Sequence, residues 1–244
     1  MSKPFEQDTQ PLEPSPPVVL FDVDGTLIRT EGNSRHSRAF CAAFFQLFGT
    51  ECQFAFGMHG MTDLQIYIAL ARELPGVDGR AEELAAEACR RMVEIYRTPD
   101  EADGFYVQLP GVLETLELLS ERGALLGLLT GNAPEIARDK LKAVQLERFF
   151  AFGAFGTEGE NRSALPPIAM ARAEVVLNRA VDRRRVFIVG DTPRDVACAL
   201  ENGCRSVAVA TGNFSAAQLT EAGAELVLPT LADPTPLLLL MDDK

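Results

Sequence analysis

Six short apolar runs, each closed by a polar residue or a glycine, constrain this chain more than any other feature. They are "VVLFD" (18–22), "ALLGLLT" (124–130), "FAFGAFG" (150–156), "RVFIVGD" (185–191), "SVAVAT" (206–211) and "ELVL" (225–228). Their apolarity is near-continuous rather than alternating, the pattern of strands buried on both faces of a parallel sheet. Helical patterns lie between them: "GVLETLELLSERG", "PEIARDKLKAV", "PPIAMARAEVVLN", "PRDVACALENG" and "SAAQLTEAG". Prolines at the first turn and glycines after the last support these ends. Strand–helix alternation of this kind predicts an α/β fold built on a doubly wound parallel sheet.

One interval breaks the alternation. Residues 29–107 hold long helical stretches ("SRAFCAAFFQLFG", "TDLQIYIALAREL", "RAEELAAEACRRMVEIYR") and no convincing strand. They predict a small all-helical domain inserted directly after the first strand, joined to the core near 28–32 and 105–111. The expected division is a disordered tail over 1–17, an α/β core from 18–28 and 108–244, and a helical domain over 29–107. The aromatic stripe Phe40, Phe44, Phe45 and Phe48 has helical spacing and reads as the core of the inserted domain. "PLLLLM" (236–241) reads as the buried face of a C-terminal helix or strand.

Composition narrows the partners. No apolar run in the 244 residues approaches the roughly 20 needed to span a bilayer, and the N-terminus lacks a signal-peptide pattern. Five cysteines, none in a CxxC pair, read as reduced thiols of a cytoplasmic protein. With His36 and His59 the only histidines, a Cys–His nucleophile is disfavoured. A net charge of −12 argues against nucleic acid and anionic membranes as partners. None of the lysines (Lys3, Lys140, Lys142, Lys244) follows a glycine, which excludes a Walker-type phosphate loop.

In open α/β sheets ligands bind at the carboxyl ends of the strands. The polar residues expected there are Asp22, Asp24, Thr130, Asn132, Arg162, Asp191 and Asp195. Four carboxylates meeting in one crevice repel one another unless a cation lies between them, and oxygen donors of this kind suit Mg²⁺. A calcium loop starting at Asp22 fails, because its sixth position is Leu27 rather than glycine and its twelfth is Asn33 rather than Glu.

"DVDGTL" (22–27), "LLTGN" (128–132), "RSALPPIAMARA" (162–173) and "GDTPRD" (190–195) follow one another along the chain. In kind and order these segments resemble the motifs of the haloacid dehalogenase superfamily of aspartate-nucleophile phosphatases, in its phosphoglycolate phosphatase-like branch. "LPGVLETLELL" (109–119) also looks like the family, and the helical insertion resembles its cap domain. The resemblance implies a Rossmann-like core and an aspartyl-phosphate mechanism. Asp22 would be the nucleophile and Asp24 the general acid and base. Asp22, Asp191 and the backbone carbonyl of Asp24 would hold Mg²⁺. Thr130, Gly131 and Asn132 would bind the phosphoryl group, and Arg162 would balance its charge. Asp195 and Thr192 would stand behind these groups.

Arg162 occupies a position where the family usually has Lys, and the two are not interchangeable. Lys140 and Lys142 are rivals by charge, but they fall late in their helix and are expected away from the strand ends. The string "TGN" recurs at 211–213, and only motif order favours the copy at 130–132. In the cap, "GMHGMTD" (57–63) is a candidate substrate-reading loop through His59, Thr62 and Asp63, with Arg35 and His36 on the first cap helix as further candidates. The implied activity is Mg²⁺-dependent hydrolysis of a small phosphorylated metabolite. A sugar-phosphate mutase and a non-catalytic phosphate-binding protein are the alternatives, while Asp24 argues against a dehalogenase. Monomer and homodimer both remain open.

Overall fold

The structure, a computed structural model, describes residues 15–52, 57–77, 79–159 and 161–243. The expected tail over 1–17 thus lies mostly outside the described residues. Its last part, Ser15–Pro17, lies against the core, where the Ser15 carbonyl accepts from Arg185 Nε at 2.6 Å.

All six apolar runs are strands: β1 (Val18–Phe21), β4 (Leu125–Thr130), β5 (Phe152–Phe155), β6 (Val186–Gly190), β7 (Arg205–Val209) and β8 (Leu226–Leu228). They form one parallel sheet in the order β5-β4-β1-β6-β7-β8. Alternate residues feed opposite faces, as the pleat requires. Val19 and Phe21 of β1, with Phe187 and Val189 of β6, pack beneath α4 (Val112–Glu121), α5 (Pro134–Ala143) and α9 (Thr235–Asp242). Val18, Leu20, Val186 and Ile188 face α6 (Leu165–Leu177) and α7 (Pro193–Glu201). A short α8 (Ala216–Glu221) covers β7 and β8. The segment "PLLLLM" falls within α9.

Between the first two strands of the sheet in chain order lies the insertion, with helices α1 (Arg35–Phe48), α2 (Asp63–Arg72) and α3 (Ala81–Tyr96). The absence of strands expected over 29–107 is corrected at the interval's two ends. β2 (Ile28–Glu31) and β3 (Phe105–Gln108) pair antiparallel, so the two crossings between core and cap form a ribbon. Their register joins Ile28 to Gln108 and Glu31 to Phe105. Short, largely half-buried strands with polar and charged residues give little period-two signal, which hides such a ribbon in the sequence.

The cap has its own core of Phe40, Phe44, Tyr67, Met92 and Tyr96, joined by Ala133 and Ile136 of the sheet domain. Phe40 stacks on Tyr67 with ring centroids 3.8 Å apart, and the Tyr67 hydroxyl donates to the Phe40 carbonyl at 2.9 Å. Phe48 packs against this cluster, but Phe45 is 54% exposed. Phe45 follows Phe44 by about 100° around the helix and so leaves the apolar face.

Candidate active site

β1 pairs with β4 on one side and β6 on the other, so the loops leaving the three strands diverge there and open a crevice. Asp22 follows β1 and Asp191 follows β6, both nearly buried. After Asp24 the chain turns sharply: Gly25 takes φ +81°, and a Cβ there would lie 2.5 Å from Asp191 Oδ2. The backbone of Gly212 likewise packs against that carboxylate. Small residues on both sides let Asp191 approach Asp22.

Ligand oxygens of Asp22, Asp191 and Asp195 lie within 4.8 Å of one another. Burial, with the neighbouring Asp22 and Asp195, pushes the Asp191 carboxyl up to about 8. Burial also raises Asp22 to about 6, even though Arg162 opposes it. Arg162, only 4% exposed, sits in a short 3₁₀ turn ahead of α6. Its Nη2 reaches Asp22 Oδ1 at 3.2 Å and also pairs with Asp195. The same guanidinium donates to the carbonyls of Gly60 and Leu129, each at 3.2 Å. Asp195 is held on its other side by Thr192, which caps α7 in a reciprocal capping box.

Asp24 is the open carboxylate of the group, its side chain 42% exposed to the cavity. Asn132 Nδ2 donates to Asp24 Oδ2 at 2.9 Å and to Thr130 Oγ1 at 2.7 Å. The expectation that Lys140 lies away from the strand ends is corrected. Lys140 Nζ contacts Asp24 Oδ2 at 2.6 Å and Asn132 Oδ1 at 2.7 Å, on a side chain 2% exposed. Position in the helix misled, because helical side chains lean toward the N-terminus and a lysine stem is long enough to return a full turn. Desolvation would raise Asp24, but the Lys140 charge and hydrogen bond outweigh it and hold the carboxyl below its ordinary value.

The cap closes over these groups. The Asp63 amide donates to the Gly131 carbonyl at 2.9 Å, and the Asp63 carboxylate accepts from Ala133 N at 3.0 Å. His36 Nε2 lies 3.2 Å from Asp63, while its Nδ1 lies 3.3 Å from Lys140 Nζ. An ammonium has only protons to offer, so Nδ1 is the acceptor and Nε2 carries the proton given to Asp63. Arg194 Nη1 donates to the His59 carbonyl at 2.6 Å, and Asn213 Nδ2 lies 3.1 Å from His59 Nδ1. A Cβ on Gly131 would strike the Met61 carbonyl, so only glycine lets the cap loop lie this close.

Of the cap candidates, His36, His59 and Asp63 line a cavity of about 260 Å³ together with Asp22, Asp24 and Asp191. Thr62 does not: it is buried and caps α2 in a box with Gln65. Arg35 stacks on Tyr96 and pairs with Asp139 and Asp103. Gly212 and Asn213 also line the cavity, so both "TGN" copies reach it. Their repetition was the available signal, and motif order concealed it.

Residues 19–209 match the haloacid dehalogenase-like hydrolase family, and the chain belongs to it. It is 26% identical over 229 residues to a phosphoglycolate phosphatase of Agrobacterium fabrum, covering 92% of this chain and 93% of the relative. Identity is also 26% to the pyrophosphatase PpaX of Bacillus pumilus, over 79% of this chain and 82% of that one. Among solved structures, a β-phosphoglucomutase from Clostridium difficile superposes with a TM-score of 0.66 at 18% identity, over 93% of this chain and 98% of that chain.

Proposed function

We propose that this protein is a divalent-cation-dependent phosphomonoester hydrolase acting on a small phosphorylated metabolite through an aspartyl-phosphate on Asp22. The observation that carries the reading is Asp22 itself: a nearly buried carboxylate at a strand end, held by Arg162 beside the open carboxylate of Asp24. Asp22 would attack phosphorus as the ester P–O bond breaks, and Asp24 would give its proton to the leaving oxygen. Asp24 would then take a proton from water, whose oxygen attacks phosphorus and releases phosphate from Asp22. Lys140 favours the carboxylate form of Asp24, the form this second half-step needs, so the first half-step proceeds from the minor protonated form. Arg162 and the amides near Thr130, Gly131 and Asn132 would stabilise charge on the transferring group.

The donor set fits a metal ion. Asp191 has no cationic side chain in ion-pair contact among the described residues, and burial beside Asp22 makes its ionised form costly without one. Asp22, Asp191 and the Asp24 carbonyl would hold Mg²⁺, with Asp195 kept back by Arg162. When bound, Mg²⁺ would supply electrostatic stabilisation of the phosphoryl oxygens.

The relatives named phosphoglycolate phosphatase and pyrophosphatase support a small phosphate ester or anhydride as substrate. The mutase alternative shares this fold and would require turnover of a sugar phosphate with a bisphosphorylated activator. Phosphate release from a panel of small phosphomonoesters tests the proposal. Chelation should abolish it and Mg²⁺ restore it, and Asp22→Asn should be inactive. Full activity in excess chelator or in Asp22→Asn would overturn it.

A further inference from the structure

The two faces of the active cavity differ in charge. Its floor, on the sheet domain, has Asp22, Asp24 and Asp191. The floor's two cations are bonded there, and the one Arg162 nitrogen without a partner, Nε, is buried. Arg162 serves Asp22, Asp195 and two carbonyls. Lys140 spends all three ammonium protons on Asp24, Asn132 and His36. The roof, on the cap, is His36, His59, Gly60, Met61 and Asp63. Among the described residues no lysine or arginine lines that roof, and residues 53–56, which precede the roof loop in sequence, contain no basic residue. Of the nearby arginines, Arg194 does not line the cavity and donates to the His59 and Gly57 carbonyls of the roof loop, and Arg35 pairs with Asp139, Asp103 and the Tyr96 ring.

Where a carboxylated substrate would need a cation, the roof presents the carboxylate of Asp63. Behind the His36–Asp63 pair lies a second cavity of about 180 Å³, lined also by Ser37, Phe40, Met58 and Ile66, where the Ser37 hydroxyl is a donor but no lysine or arginine supplies a countercharge. From this we infer that the substrate is a phosphomonoester of a small uncharged hydroxylated alcohol, and that Asp63 selects against leaving groups carrying a carboxylate. The inference rests on the phosphatase reading above. A carboxylate placed under the roof would be desolvated beside Asp63 and Asp24 with no countercharge, whereas a hydroxyl can donate to Asp63 or His59. Size agrees. At ~30 Å³ per water-sized group, about 260 Å³ holds roughly nine such groups, of which a phosphoryl group and its ester oxygen occupy about five. The remainder, about four groups, is on the scale of a hydroxylated alcohol of two carbons, with three near the upper limit.

The test compares esters matched in length: glycerol 3-phosphate against 3-phosphoglycerate, and 2-hydroxyethyl phosphate against 2-phosphoglycolate. p-Nitrophenyl phosphate serves as the generic control, all with Mg²⁺. In the wild-type protein kcat/KM should favour the uncharged member of each pair by about tenfold or more, equal to ~1.4 kcal/mol. Asp63→Asn keeps an oxygen for the Ala133 amide and should narrow that ratio. Should Asp63→Asn fold poorly, His59→Lys provides an independent reading. It places a cation on the roof and should raise turnover of the carboxylated ester relative to its neutral partner. A wild-type preference for the carboxylated esters, or ratios unmoved in both variants, would overturn the inference while leaving the phosphatase reading intact. Failure to hydrolyse even p-nitrophenyl phosphate would instead overturn the phosphatase reading, and this inference with it.

Discussion

At the scale of single residues, the environment of each carboxylate differs enough to separate their tasks. Arg162 is the only cation touching Asp22 among the described residues, and it also neutralises Asp195. Arg162→Ala should lower kcat by about 10²–10³-fold, the range for losing one charge-stabilising donor. It should also destabilise the fold, because two buried carboxylates lose their partner. Arg162→Lys should recover part of the rate, and Lys142→Ala should leave it unchanged. Equal losses from Lys142→Ala would show that motif order misplaced the cation. Asp24 gives a sharper test, because its two proposed half-steps make different demands. A p-nitrophenolate leaves without a proton, but no substrate relieves the need to activate water. Asp24→Asn should therefore release one equivalent of nitrophenolate rapidly and then turn over about 10²–10⁴-fold slower than wild type. With an alkyl phosphate no burst should appear. Wild-type steady-state turnover by Asp24→Asn would remove it from the mechanism.

At the scale of elements, the cap loop 57–63 is tied down by backbone contacts: the Asp63 amide to Gly131, Arg162 to Gly60 and Arg194 to His59. Arg194 lies at the start of α7, outside the reacting groups, and its removal should loosen the loop without altering the floor. Arg194→Ala is expected to lower kcat/KM severalfold for a small metabolite ester that must be enclosed, and much less for p-nitrophenyl phosphate. Parallel losses on both would assign Arg194 a general structural role. The elements also explain what the sequence reveals and what it hides. Strands buried on both faces, such as "VFIVG" and "LLGLLT", leave a signal that local composition carries in full. The residues that close their ends, Asp22, Thr130 and Asp191, inherit that legibility. The β2–β3 ribbon is obscure because its pairing spans more than seventy residues of cap and only one of its residues is buried. Lys140 and Asn213 are obscure for other reasons: Lys140 reaches the cavity through side-chain length that strand-end counting ignores, and Asn213 belongs to the second "TGN", which motif order sets aside. His36 was visible only as a polar residue on an amphipathic helix, and its bond to Asp63 depends on how two cap helices cross.

At the scale of the whole molecule, the acidic site sets how stability responds to pH and metal. Asp191 is raised to about 8 and Asp22 to about 6, against an ordinary value of 3.8. Between roughly pH 4 and 8 the folded protein without metal therefore binds more protons than the unfolded chain. Stability then falls as pH rises through that window, because the slope follows the difference in bound protons. Asp24 moves the other way, since its carboxyl is lowered, but its contribution changes only below its unfolded value and is constant above about pH 5. A divalent cation should reverse the trend. Under the proposed reading it would bind the ionised carboxylates, so its affinity and its stabilising effect would both grow as pH rises. Calorimetric melting in chelator should thus give a lower Tm at pH 8 than at pH 5.5. Mg²⁺ should raise Tm at pH 8 by several degrees, at about 2–4 °C per kcal/mol for a chain of this size, and by much less at pH 5.5. Asp191→Asn removes the buried charge while keeping its shape, so it should flatten the pH dependence in chelator and abolish the Mg²⁺ response together. A Tm that climbs with pH in chelator, or a Mg²⁺ response that survives Asp191→Asn, would place the cation elsewhere in the molecule.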